Sequence, residues 1–224
     1  MIRTGTFLLL MIAHYLTFGQ NRIYDSLIYQ LQIIERDDQY PRIQIDSITR
    51  LYAGDSLKLM TKLKLNQDVM RHNDSINLKK VTSMIDKFGW LGPVEIGDDG
   101  CQTLFDVIQH ADLQTQEKYL PVLKAAVNAG KARPGRLAYL QDRILLRRGQ
   151  KQIYGSQVFL NIKSNEVYVL PLEDPYNLDM RRASVGLEPM ANYIENNFNV
   201  EWDIAKYFKS LSVVDSLMKA NPFY

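Results

Sequence analysis

Residues 137–148 place the tightest constraint on how this chain can fold. At about 100° per residue, Leu137, Ala138, Tyr139, Leu140, Ile144, Leu145 and Leu146 cover nearly the whole helical wheel. A helix apolar on almost every side belongs inside a fold. Yet this one carries Asp142 and Arg143 on the arc that Ala138, Tyr139 and Leu146 flank, while Gln141 and Arg148 fall on another arc suited to solvent. Buried charges need partners. Neighbouring residues on a helix diverge too far for Asp142 and Arg143 to satisfy each other fully, so each is expected to reach a group elsewhere in the chain.

Helical spacing recurs through most of the rest. Ile23, Leu27, Leu31 and Ile34 form one stripe, and Pro41, preceded by Asp37, Asp38 and Gln39, reads as a helix boundary. Residues 43–88 read as mostly helical, broken at Gly54-Asp55, with Asp55 or Ser56 capping the helix beyond the break. Within them Leu57, Met60, Leu63 and Leu65 give way to the polar His72-Asn73-Asp74-Ser75, and Leu78, Val81, Met84 and Ile85 resume the period. Gly89 to Pro93 ends the segment. Gly97-Asp98-Asp99-Gly100 reads as a turn, with Asp99 capping a helix over 101–111. Asp112 is placed to cap a helix over 114–129 closed by Gly130, and Pro134 to open one over 135–148 closed by Gly149.

Only one segment alternates with the period of a strand. Val158, Leu160 and Ile162 interleave with Phe159 and Asn161, Lys163-Ser164-Asn165-Glu166 supplies a turn, and residues 167–170 return. Short helices are expected over 178–183, 187–197 and 203–219. The fold class is therefore mainly α, with one β-hairpin at about 152–170 after the central helices, in a single domain over 20–224.

The N-terminus has the three parts of an export signal. Arg3 gives a positive start, residues 7–18 are apolar with His14 their only ionisable member, and Thr17-Phe18-Gly19 fits a small-x-small cleavage site before Gln20. The apolar run falls short of the ~20 residues of a spanning helix, and no cysteine directly follows it for acylation. The expectation is a signal peptide over 1–19 and a periplasmic or secreted protein with no membrane association after cleavage. The formal charge of +2 falls by one with that piece removed, too little to imply nucleic-acid or membrane-surface binding. The local cluster of Arg143, Arg147, Arg148 and Lys151 reads as a helix end whose cations suit the dipole. Cys101 is the only cysteine, so no internal disulfide can form, and among Leu104, Phe105 and Ile108 it reads as a core residue.

Candidate chemistry concentrates between Gln109 and Gln157. His110 is a candidate general base, with Asp142 to orient it and Arg143 to clamp an anion. Gln109, Asp112, Tyr139, Tyr154 and Gln157 are candidate ligand-binding groups. His110 and Asp112, two apart, face one site only if the helix ends near Ala111; otherwise His110 satisfies Asp106 and Asp112 is a cap. No metal site is expected, because no second His or Cys stands at ligand spacing, and no cofactor motif is present. Tyr154-Gly155-Ser156-Gln157 is either part of a site or a bulge at a strand start. Ser156 lacks the surroundings of a nucleophilic serine.

Several short motifs occur in one order over 38–193: Asp38-Gln39 with Arg42, Asp74 with Asn77, Gly89-Trp90, Gly97, Gln109-His110-Ala111-Asp112, Tyr139-Leu140 with Asp142-Arg143, Tyr154-Gly155-Ser156-Gln157, and Arg181-Arg182 with Val185-Gly186-Leu187. In this the chain resembles a bacterial domain family of unknown function. Leu91 and Ser156 stand where that family carries Pro and Thr, and Pro93 comes two residues later. The resemblance implies no activity, but it does imply that these polar groups belong to one site. Two functions stay open. One is a pocket for a small molecule or peptide, with metal-independent hydrolytic or lyase-like chemistry if catalytic. The other is a structural or protein-interaction module whose buried polar network fixes helix packing.

Overall fold

The structure is a computed structural model that describes residues 4–161 and 166–220, with side chains from residue 22 onward. The described residues form eight helices and one antiparallel two-stranded hairpin, the mainly α class that the periodicity implies. They divide into two compact units, Met1–His110 and Ala111–Tyr224. Among the described residues no helix is long and apolar enough to cross a membrane.

The first unit packs three helices, α1 (Thr4–Leu51), α2 (Ser56–Phe88) and α3 (Pro93–His110), against one another. Leu27, Leu31 and Ile34 bury the stripe of α1, and Val81, Met84 and Ile85 that of α2. Leu57, Met60 and Leu65 keep helical spacing but stay exposed. Asp55 caps α2, its Oδ1 accepting the Lys58 N–H at 3.0 Å. In α3 the expected four-residue turn shrinks to Gly97 alone, at φ +71°, and Asp99 lies inside the helix instead of capping it. Gly100 lets α3 press onto α1, since an added Cβ would sit 3.0 Å from the Ile96 Cβ and 3.2 Å from the Leu31 Cδ1. Cys101 is buried, as its apolar neighbours imply.

Pro41 does not end its helix, contrary to the boundary expected there. Proline has no N–H to give the carbonyl four residues back. That carbonyl, on Asp37, instead accepts the Asn73 Nδ2 of α2 at 2.8 Å. The Asp38 carbonyl accepts a guanidinium N–H of Arg42, and the Pro41 carbonyl accepts Asn66 Nδ2 at 2.7 Å. Local reading sees only the missing donor; side chains from α2 and from Arg42 supply replacements, so α1 runs on to Leu51.

The second unit comprises α4 (Leu113–Asn128), α5 (Pro134–Arg147), β1 (Val158–Asn161), β2 (Glu166–Val169), α6 (Leu178–Ser184), α7 (Met190–Phe198) and α8 (Ile204–Ala220). Val158 pairs with Val169 and Asn161 with Glu166; the expected turn at Lys163, Ser164 and Asn165 lies outside the described residues. Val169, Leu172, Leu178, Met190, Tyr193, Ile194 and Tyr207 make one apolar cluster, and Leu146, Leu170 and Val214 another. Each fully buried aliphatic or aromatic side chain contributes about 1.5–3 kcal/mol. The loop over 152–157 carries the chain from α5 to β1. Gly155 holds φ +66° there, with Leu172 and Leu178 3.2–3.3 Å from where a Cβ would stand.

Candidate functional site

Each unit holds one polar cluster. That of the first unit gathers at the proline turn of α1. Asp38 is 2% exposed, and His110, at the last turn of α3, sets its Nδ1 3.1 Å from the Asp38 Oδ1. Arg42 reaches the same Oδ1 with Nη1 at 3.3 Å and holds both oxygens of Asp74, from α2, with Nη2 at 3.0 Å. Gln39 Nε2 donates to Asp38 Oδ2 at 2.7 Å. Asn77, buried on α2, donates to the Ile34 carbonyl at 3.4 Å. His110, Arg42 and Asp74 are 20–27% exposed at their side chains, so the cluster is buried at Asp38 and open at its edge.

Burial pushes the Asp38 carboxyl up, but the hydrogen bond and charge of His110, with Arg42 and Gln39, outweigh it and leave the group below the ordinary carboxylate range. At Asp74 burial prevails over Arg42 and lifts the carboxyl above that range. When the His110 ring is neutral with its hydrogen on Nδ1, an ionised Asp38 accepts that hydrogen and the Nε2 lone pair is left for other work. Nε2 makes no hydrogen bond among the described residues. Because the folded value of Asp38 lies below 3.8, its contribution to stability is full above that pH and fades as pH falls through the folded value. Denaturation at about pH 5 and about pH 3 should therefore show a smaller acid loss in Asp38→Asn than in wild type, and equal losses would refute this assignment.

The cluster of the second unit surrounds Asp142, 0% exposed on α5. Its Oδ1 accepts the N–H of Ile153 at 2.7 Å and of Tyr154 at 3.0 Å, and its Oδ2 accepts that of Ser156 at 2.9 Å. The carbonyls of the same loop are held as well. Arg181 Nε donates to Ile153 O at 2.8 Å, Arg182 Nη1 to Tyr154 O at 2.8 Å, and the Tyr193 hydroxyl to Ser156 O at 3.0 Å. Gln152 brackets the end of the loop, its Oε1 accepting the Gln157 N–H at 2.9 Å and its Nε2 donating to Gln157 O at 3.0 Å. Burial lifts the Asp142 carboxyl above the ordinary range against the pull of these amides. Arg182, fully buried, also donates to Glu188 O at 2.6 Å and lies 4.8 Å from the Tyr193 ring centre.

The remaining candidate residues take varied places. The carboxylate against His110 is Asp38, while both oxygens of Asp142 are taken up by backbone amides. Asp112 is exposed and caps α4, its Oδ1 accepting the Thr115 N–H at 2.7 Å. Arg143 is half-buried on α5, and its charge bears on Tyr193. Tyr139 is half-buried, edge-on to Tyr193 at 6.4 Å and hydrogen-bonded to it. Burial raises both phenols. Tyr154 is half-buried; Gln109 and Gln157 are buried, the latter donating Nε2 to Ser156 Oγ at 3.0 Å. Of the basic cluster, Arg147 donates to Ala111 O and Arg148 pairs with Glu117 at 2.8 Å. Among the described residues no group of three or more His, Cys, Asp or Glu is placed to hold a metal ion.

The resemblance sets Asp38, Arg42 and Asp74 in one site with His110, but reading the side chains alone does not pair them with it. Asp38 and Arg42 stand four apart, a helical ion-pair spacing, and Pro41 between them obscured it. Over residues 27–200 the chain matches a family of unknown function, DUF6624, and it belongs to that family. No curated protein and no solved structure matches the chain.

Proposed function

We propose that this is an exported protein whose first unit carries an acid–base site for a small molecule or peptide, with His110 moving the proton and Asp38 positioning it. The observation that carries the reading is the histidine ring itself: Nδ1 faces a buried carboxylate, and Nε2 is left without a hydrogen bond among the described residues at a ring 23% exposed. That is the arrangement a general base needs, with one nitrogen fixing tautomer and orientation and the other available. Arg42 already supplies the positive charge between Asp38 and Asp74, so the chemistry favoured is hydrolytic or lyase-like proton transfer by side chains. Export is supported by Arg3, the apolar residues 7–18 and Gly19. Intact mass of native material should place the N-terminus at or near Gln20, and a full-length chain would refute export.

Turnover is tested by screening the protein against chromogenic esters, amides and glycosides, with His110→Gln beside wild type. Loss of a general base typically removes about 10²–10⁴-fold of the rate. The expected result is such a loss with a melting temperature nearly unchanged. A variant as active as wild type would overturn the reading. A structural role is the second reading, favoured by the 2% exposure of Asp38 and its contacts within α1 and to α3. It requires that His110→Gln and Asp38→Asn both melt well below wild type and that no substrate or ligand be found.

A further inference from the structure

In the second unit, β2 and the start of α8 flank a half-open hollow of about 320 Å³. That volume is at the lower end of small-ligand pockets. Its floor is apolar, from Val167, Val169 and Ile194. Trp202 forms a wall, its ring centre 5.7 Å from that of Tyr207 at an interplanar angle of 46°. The Tyr207 hydroxyl is held by the Leu172 N–H at 2.8 Å, which fixes the ring. Tyr207, itself buried, backs the Trp202 ring, which offers an apolar group an aromatic surface beside the aliphatic lining.

The rim has the opposite character. Glu166, Glu201, Asp203 and Lys206 line it. Asp203 caps α8, its Oδ1 accepting the N–H of Ala205 at 2.7 Å and of Lys206 at 3.1 Å. Those hydrogen bonds, with the charges of Lys206 and Lys209, keep its carboxyl below the ordinary range. Glu201 has neither hydrogen bond nor ion pair among the described residues. Glu201 and Trp202 are neighbours in the chain and both line the hollow.

We propose that this hollow binds a small organic cation: an ammonium group on an apolar body, the body against Trp202 and the apolar lining of Val167, Val169 and Ile194, and the charge toward Glu201. A cation over an aromatic face gains about 0.5–2 kcal/mol, and more as the site excludes water. Shape selects the apolar body, and the Glu201 carboxylate disfavours an anion of the same shape. This site is independent of the His110 reading.

The test uses the full chain and two probes with the same body, phenethylammonium and 3-phenylpropanoate. The protein has two tryptophans, so its NMR spectrum carries two indole N–H signals, assigned with Trp202→Phe. Phenethylammonium should shift the Trp202 signal saturably with a millimolar or lower Kd, and leave that of Trp90 in place. 3-Phenylpropanoate should bind at least about fivefold more weakly. Glu201→Gln, at an exposed position, should weaken the ammonium about three- to tenfold without moving the melting temperature. Equal affinity for the two probes, no saturation by about 10 mM, or an unaffected Glu201→Gln would each overturn the proposal. A lysine tripeptide with blocked ends is the remaining arm. If it binds more tightly than phenethylammonium, the occupant is a peptide side chain and the small-molecule assignment falls.

Discussion

Asp142→Ala is expected to lower the stability of the protein by on the order of 3–5 kcal/mol, the largest effect of any single change at its polar clusters. The carboxylate is fully buried and accepts the N–H groups of Ile153, Tyr154 and Ser156. Removing it leaves three donors without an acceptor, and each orphaned buried group costs about 1–3 kcal/mol. Water entering the space left behind recovers part of that sum. A chain of this length loses about 2–4 °C of melting temperature per kcal/mol, so the drop should be on the order of 10 °C. Asp142→Asn should cost less. Its one carbonyl oxygen can still accept from Ile153 and Tyr154, but its amide then faces the Ser156 N–H, donor to donor. Thermal melts read the size of the effect, and hydrogen exchange at those three amides reads its place. Wild-type melting with the amides still protected would show that the loop does not depend on Asp142.

Arg182→Met should cost about 2–4 kcal/mol by removing another of the clamps on the same loop. The guanidinium gives N–H groups to the carbonyls of Tyr154 and Glu188 and lies on the ring of Tyr193. Methionine keeps much of the volume and none of the donors. The cost is smaller than at Asp142 because a buried cation carries its own desolvation penalty, which the substitution removes. Burial already holds this guanidinium below its ordinary pKa, the mark of that penalty. Asp142 and Arg182 grip opposite sides of the same residue, Tyr154. The double variant should therefore lose about 0.5–3 kcal/mol less than the sum of the singles. Strict additivity would mean that the two side chains act on the fold separately.

The parts legible in the sequence are those governed by neighbours in the chain. The caps at Asp55 and Asp112, the breaks at Gly89 and Gly97 and the strand at Val158–Asn161 each depend on a few adjacent residues. So does the burial of Asp142, since a wheel apolar on nearly all sides leaves a charge no route to water. The partners are not legible. Three backbone N–H groups have no signature in side-chain identity, so a sequence search for what satisfies Asp142 turns to other charged residues and overlooks amides 11–14 positions away. Asp38 and His110 are 72 residues apart, and nothing local to either names the other.

Composition and periodicity alone determined that this chain is mainly helical, with one hairpin after its central helices, because helical and strand spacing are properties of adjacent residues. Tertiary structure alone decided whether Pro41 breaks its helix and which carboxylate faces His110. Both outcomes rest on groups from elsewhere in the chain: Asn73 of α2 takes the carbonyl that Pro41 cannot serve, and the packing of α3 on α1 sets His110 against Asp38. A hydrogen bond depends on distance in space, and only the packed fold sets that distance.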